Sequence, residues 1–136
     1  MSEYRVPAQS NKYYLPKHTY LACVHYALQY RDWRIFLDTE RDTRGAIQYD
    51  KDRVQTSGDY DSTSATAIRM VEIQDKCNKI DDVITSICDV GMERYLRMSV
   101  CYGFTIYQLQ DLGLPCGKNY MSKLRQQFYY ELSKKI

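Results

Sequence analysis

Between Lys118 and Gln126 the sequence reads "KNYMSKLRQ". Asn119, Ser122, Lys123 and Gln126 recur there at intervals of three and four, the spacing of a single helical face. Lys118 and Arg125 flank that ridge. Side-chain amides pair with adenine edges, and Arg or Lys pairs with guanine or with phosphate. A ridge of small polar, amide and basic residues at the front of a helix is what groove contact with bases requires. A merely solvated helix face carries the same residue types, so the elements around the ridge must decide.

Other chemistry is thinly represented. There is no glycine-rich phosphate loop and no H-E-x-x-H. The pairs Asp81–Asp82 and Asp50–Asp52 read as solvated charges, and His25, between Val24 and Tyr26, reads as a packed or surface histidine. With no convergent titratable cluster, no catalytic residue is assigned and no enzyme is expected. Cys23, Cys77, Cys88, Cys101 and Cys116 contain no C-x-x-C pair, and His18 and His25 are the two imidazoles. That spacing predicts reduced core thiols, with no metal and no cofactor. Asp50, Asp52, Asp59 and Asp61 lack the glycine and terminal glutamate of a calcium loop.

The elements that must position the ridge are legible around it. Thr105 followed by Gln108 is a capping-box pattern, predicting a short helix that turns Ile106, Leu109 and Leu112 inward. Gly113 supplies a residue tolerant of a left-handed backbone, Leu114 plugs the angle, Pro115 ends the first helix and Gly117 loosens the start of the next. From about Lys118 to Lys134, Met121, Leu124, Phe128 and Leu132 form an apolar stripe opposite the ridge. Lys134 and Lys135 add positive charge at its end. Short capped helix, glycine turn and polar-ridged helix occur in the order of a helix-turn-helix.

Upstream, residues 1–15 read as a loose polar arm broken by Pro7, and Pro16 suits the start of a helix. A helix is predicted over about 17–38, with Leu21, Val24, Leu28 and Ile35 on one stripe, broadened by Trp33 and Phe36. A polar linker is expected over about 39–61, with Ile47 and Val54 as its larger aliphatic anchors. Asp61, Ser62, Thr63 and Ser64 are N-cap candidates for a second long helix over about 62–90. Along it Ile73, Cys77, Ile80, Ile84 and Ile87 form a heptad-like seam, ending at Gly91. A third helix from about Met92, carrying Tyr95, Leu96, Val100 and Tyr102, ends near Gly103. The fold class expected is all-α, a small helical bundle with two long helices and a C-terminal helix-turn-helix. Residues 1–91 form an N-terminal helical region and 92–136 a C-terminal DNA-binding region.

Composition permits this without demanding it. The 136 residues are 44% hydrophobic and 26% charged, ordinary for a globular domain. No apolar run approaches the roughly 18 residues of a membrane span, and the N-terminus lacks a signal-like apolar stretch, so a cytoplasmic protein is expected. A net charge of +2 neither requires nor excludes nucleic acid. Fourteen tyrosines suit half-buried helix faces and interfaces.

The layout resembles the ArpU/RinA-type phage transcriptional regulators, small helical proteins of phages and prophages. The similarity is carried by "YLPKHTYLACVHYALQY", by "YDKDRVQTSGDYDSTSATAIR" and by "RYLRMSVCYGFTIYQLQ" followed by "GKNYMSKLRQQFYYELSK". The closing part is similar to that family's sigma-region-4-like helix-turn-helix, matching at Asn119, Tyr120, Met121, Ser122, Arg125, Phe128 and Leu132. The five-residue turn "GLPCG", with Cys116 before the second helix, departs from the family's usual Ser/Thr-rich approach. The resemblance implies a regulator of late phage genes that binds double-stranded DNA. The alternative is a phage interaction protein that binds a host factor such as RNA polymerase. A homodimer through the 62–90 helix is a further expected contact.

Overall fold

The computed structural model describes residues 7–50 and 57–136, with side chains described over 7–40 and 64–136. Six helices lie among these residues: α1 Lys17–Leu28, α2 Tyr30–Asp50, α3 Ser57–Ile87, α4 Val90–Tyr102, α5 Ile106–Asp111 and α6 Lys118–Ser133. No strand occurs among them. The fold is all-α, as the periodicities predict. No helix among the described residues is long and apolar enough to cross a membrane.

The chain divides into two compact units, one of residues 1–31 with 79–136 and one of residues 32–78. In the first, α1 packs against α4 and α6, α4 also packs against α6, and α5 docks on α4. The two pairs made by α1 join residues from both sides of the boundary expected at 91/92. The core they enclose includes Cys23, Val24, Ile84, Leu96, Val100, Leu109, Phe128 and Leu132, all essentially inaccessible. Each large apolar side chain so buried contributes about 1.5–3 kcal/mol over exposure. Tyrosines supply much of the remaining packing, with Tyr20 edge-on to Tyr129 at 5.1 Å and Tyr30 edge-on to Tyr102 at 6.3 Å between ring centroids. Tyr30 and Arg97 also share one acceptor, the Asp81 carboxylate, at 3.0 and 2.9 Å.

In the second unit α2 and α3 run antiparallel. The Lys76 ammonium lies over the Trp33 ring at 5.5 Å and the Arg69 guanidinium over Phe36 at 5.2 Å, so the partners match in reverse order. Leu37, Ile73 and Cys77 are buried.

Several boundaries differ from expectation, each for a physical reason. The helix expected over 17–38 breaks at Gln29, whose N–H bonds back to the Tyr26 carbonyl at 3.2 Å in a tightened last turn. Of the stripe expected from Leu21, Val24, Leu28 and Ile35, Val24 is buried, Leu21 and Leu28 are half-buried and Ile35 is 54% exposed, while Leu37 takes the buried position in α2. Much of the linker expected over 39–61 is helix, α2 reaching Asp50 and α3 starting at Ser57. Glu, Arg and Gln there are good helix formers, and Gly45 costs a helix only about 1 kcal/mol. The side chains of Ile47, Val54, Asp50, Asp52, Asp59, Asp61, Ser62 and Thr63 lie outside the described residues, as do residues 1–6.

The second long helix ends at Ile87 rather than at Gly91, because Asp89 adopts an extended conformation and its carbonyl accepts from the Met92 and Glu93 N–H groups, starting α4. Gly91 is therefore inside α4. The seam Ile73, Cys77, Ile80 and Ile84 is at most 6% exposed, filled by the chain's own packing. The homodimer expected through that helix would have to use another stripe.

Candidate nucleic-acid interface

The predicted capping box is present. The Thr105 hydroxyl accepts from the Gln108 N–H at 3.2 Å, and the Gln108 side chain accepts from the Thr105 N–H at 2.9 Å. Upstream, Gly103 at φ 74° closes α4, with the Phe104 N–H bonded back to the Met98 carbonyl at 3.1 Å. Gly113 sits at φ 96°, and the Leu114 N–H returns to the Leu109 carbonyl at 3.0 Å. From α4, the buried Tyr95 reaches this turn, its hydroxyl donating toward the Gly113 carbonyl at 3.3 Å and that of Leu112 at 3.4 Å. Tyr95 is a turn-positioning residue with no local sequence signal.

On α6, Met121, Leu124, Phe128, Tyr129 and Leu132 face inward, as the stripe predicts, with Tyr129 widening it. The six candidate residues then separate into two groups. Lys118, Asn119, Ser122 and Lys123 are exposed along the first two turns. Arg125 and Gln126 are half-buried. The Gln126 side-chain oxygen accepts from the Asn11 amide at 3.0 Å, a contact across 115 positions of sequence. The front of α6 has no acidic residue in its first turn, and Gly117 at the N-cap provides no side chain to cap it. Outward N–H groups, the positive end of the helix dipole and Lys118 together favour an anion there.

The arm expected to be loose is ordered where it is described. Asn11 closes a turn with its N–H to the Ala8 carbonyl at 2.9 Å, and its side chain accepts from the Tyr13 N–H at 2.8 Å. Tyr13 packs on Tyr130 of α6 at 5.6 Å between centroids, and Pro7 and Leu15 are buried at either end.

Elsewhere, an open groove of about 540 Å³ beside α1 collects His18, Cys23, His25 and Ser133. Burial pushes the Cys23 thiol up to about 11. It stays protonated at neutral pH, so the groove holds no activated thiolate. Burial also raises the half-buried Cys116 thiol in the α5–α6 turn. No cysteine is in a disulfide bond, and Cys23, Cys77 and Cys101 are buried, in keeping with core thiols. No cluster of three or more His, Cys, Asp or Glu side chains suited to a metal occurs among the described residues. Comparison finds no match to this chain among family models, curated proteins or solved structures.

Proposed function

We propose that this chain is a DNA-binding transcriptional regulator of a phage or prophage, acting without catalysis on late genes and reading the major groove with α6. The observation that carries the reading is the exposed Lys118–Asn119–Ser122–Lys123 ridge at the uncapped front of α6. It lies directly after a capped short helix and a positive-φ glycine turn. Asn119 and Ser122 offer hydrogen-bonding groups of the kind that read base edges, whereas Lys118 and Lys123 supply the sequence-independent phosphate term. The likeness in layout to ArpU/RinA-type regulators supports the same reading.

Selection of bound duplexes from a random pool, at stated salt, tests it. Enrichment of one sequence is expected. Asn119→Ala should relax preference at one position by about 1–3 kcal/mol. Lys123→Ala should weaken all duplexes alike and lower the salt slope by about one. A chain that enriches nothing and shows no salt-dependent binding would refute the assignment.

A second reading rests on α5 and the residue that caps it, where Tyr107 is 68% and Leu112 is 47% exposed. Apolar groups so placed suit a protein partner, such as host RNA polymerase, contacted while α6 holds DNA. Retention of a polymerase after nuclease treatment, lost in Tyr107→Ala, is the expected result.

A further inference from the structure

The outer stripe of α6 continues past the exposed ridge, stepping from Asn119 and Lys123 to Gln126 and Tyr130 at helical intervals. Its second half is occupied by the chain's own N-terminal segment. Asn11 is held there by all of its polar groups: its N–H to Ala8, its carbonyl to the Tyr14 N–H at 3.0 Å, its side-chain oxygen to Tyr13 and its amide to Gln126. The Tyr13 ring on Tyr130 makes a second attachment. Between them Lys12 is exposed, its ammonium 5.0 Å from the Tyr13 ring centre. Lys134 lies over the neighbouring Tyr130 ring at 4.6 Å.

Two magnitudes decide what this segment does to a duplex. Bidentate reading of adenine needs both ends of a glutamine amide, and the oxygen of Gln126 is already engaged. Asn119 and Gln126 are separated by roughly 10 Å along the helix at about 1.5 Å per residue. Lys12, exposed on the segment clamped over Gln126, lies about that far from Asn119 along the outer stripe and adds a cation of the kind that contacts the sugar–phosphate backbone.

We propose that residues 7–14, clamped on α6 through Asn11 and Tyr13, withdraw Gln126 from base reading and present Lys12 to the phosphate backbone of bound DNA. This rests on α6 being a major-groove reader. It makes Gln126 a positioning residue, leaves base selection to Asn119 and Ser122, and adds Lys12 as a phosphate contact outside the helix-turn-helix.

The test uses the full chain and the duplex it selects, titrated from 50 to 200 mM salt, with a repeat selection for each variant. Lys12→Ala is expected to leave the selected sequence unchanged and reduce the log–log salt slope by about 0.9. Across that range its affinity then falls about three- to fourfold less than that of the parent chain. Asn11→Ala and Gln126→Ala are expected to weaken binding equally, without altering base preference. Their double variant should be no weaker than either single. An unchanged slope for Lys12→Ala overturns the proposal. So does loss of preference at one base position in Gln126→Ala while Asn11→Ala retains it. Either result leaves the groove-reading assignment standing, whereas a parent chain that binds no duplex overturns both.

Discussion

Gly113 and Gly91 allow one chemical change to be made in two opposite settings. Gly113 holds φ 96°, and a Cβ built there would meet only the Tyr95 hydroxyl at 3.8 Å, an ordinary contact. Gly113→Ala therefore introduces backbone strain without a clash, costing about 1–3 kcal/mol. Gly91 lies in the first turn of α4 with nothing within 4 Å of a built Cβ, and its φ is not positive. There Gly→Ala lowers the entropy of the unfolded chain at no steric cost, stabilising by about 0.4–1 kcal/mol. For a urea slope of about 2 kcal/mol per molar, the midpoint should fall by about 0.5–1.5 M in the first variant and rise by about 0.2–0.5 M in the second. Equilibrium denaturation followed by circular dichroism reads both. Equal stability of Gly113→Ala and the parent, or shifts of the same sign, would refute the left-handed turn and with it the placement of α6.

Burial raises the pKa of the Cys23 thiol from 9.0 to about 11, so the folded chain holds its proton more tightly than the unfolded chain does. The stabilising difference is complete below pH 9 and is lost as pH rises to about 11, an effect on the order of 2–3 kcal/mol. The gap in stability between the parent and Cys23→Ala should close over that window, and parallel pH curves would refute it. Asp81→Asn removes the ion pair to Arg97 and weakens the bond from Tyr30, in a setting where the two charged side chains are still 25% and 32% exposed. A loss of about 1–2 kcal/mol in chemical denaturation is expected. Tyr30→Phe should add little in that background, because its acceptor has already been altered.

What the sequence revealed was what depends on neighbours three or four positions apart. The Thr105–Gln108 box, the stops at Gly103 and Gly113, the inward stripe of α6 and the Ile73–Ile84 seam are all of this kind. The break at Gln29 carries no glycine or proline. The next residue, Tyr30, bonds to Asp81, a partner 51 positions away that no local pattern can reveal. The helical character of 39–50 is hidden because a charged segment without an apolar stripe looks like a linker, although its residues are adequate helix formers. Gly91 looks like a stop because glycine often follows a helix, but the chain turns at Asp89. In the site, exposure of Asn119, Ser122 and Lys123 followed from their phase on the helix. The withdrawal of Gln126 did not, since Asn11 lies at the other end of the chain.

The packing of α1 on α6 also bears on the order in which the chain becomes structured. During synthesis α1 emerges early, and the aromatic partner of its Tyr20 is Tyr129, on the last helix. All of residues 32–78 must be made before the two halves of the first unit can meet. Such a high sequence separation slows closure, because loop entropy is spent before the contacts return it. A nascent chain that has produced α1 but not α6 therefore displays Tyr20, Cys23 and Val24 uncovered, and its exposure to chaperones and to aggregation is greatest in that interval.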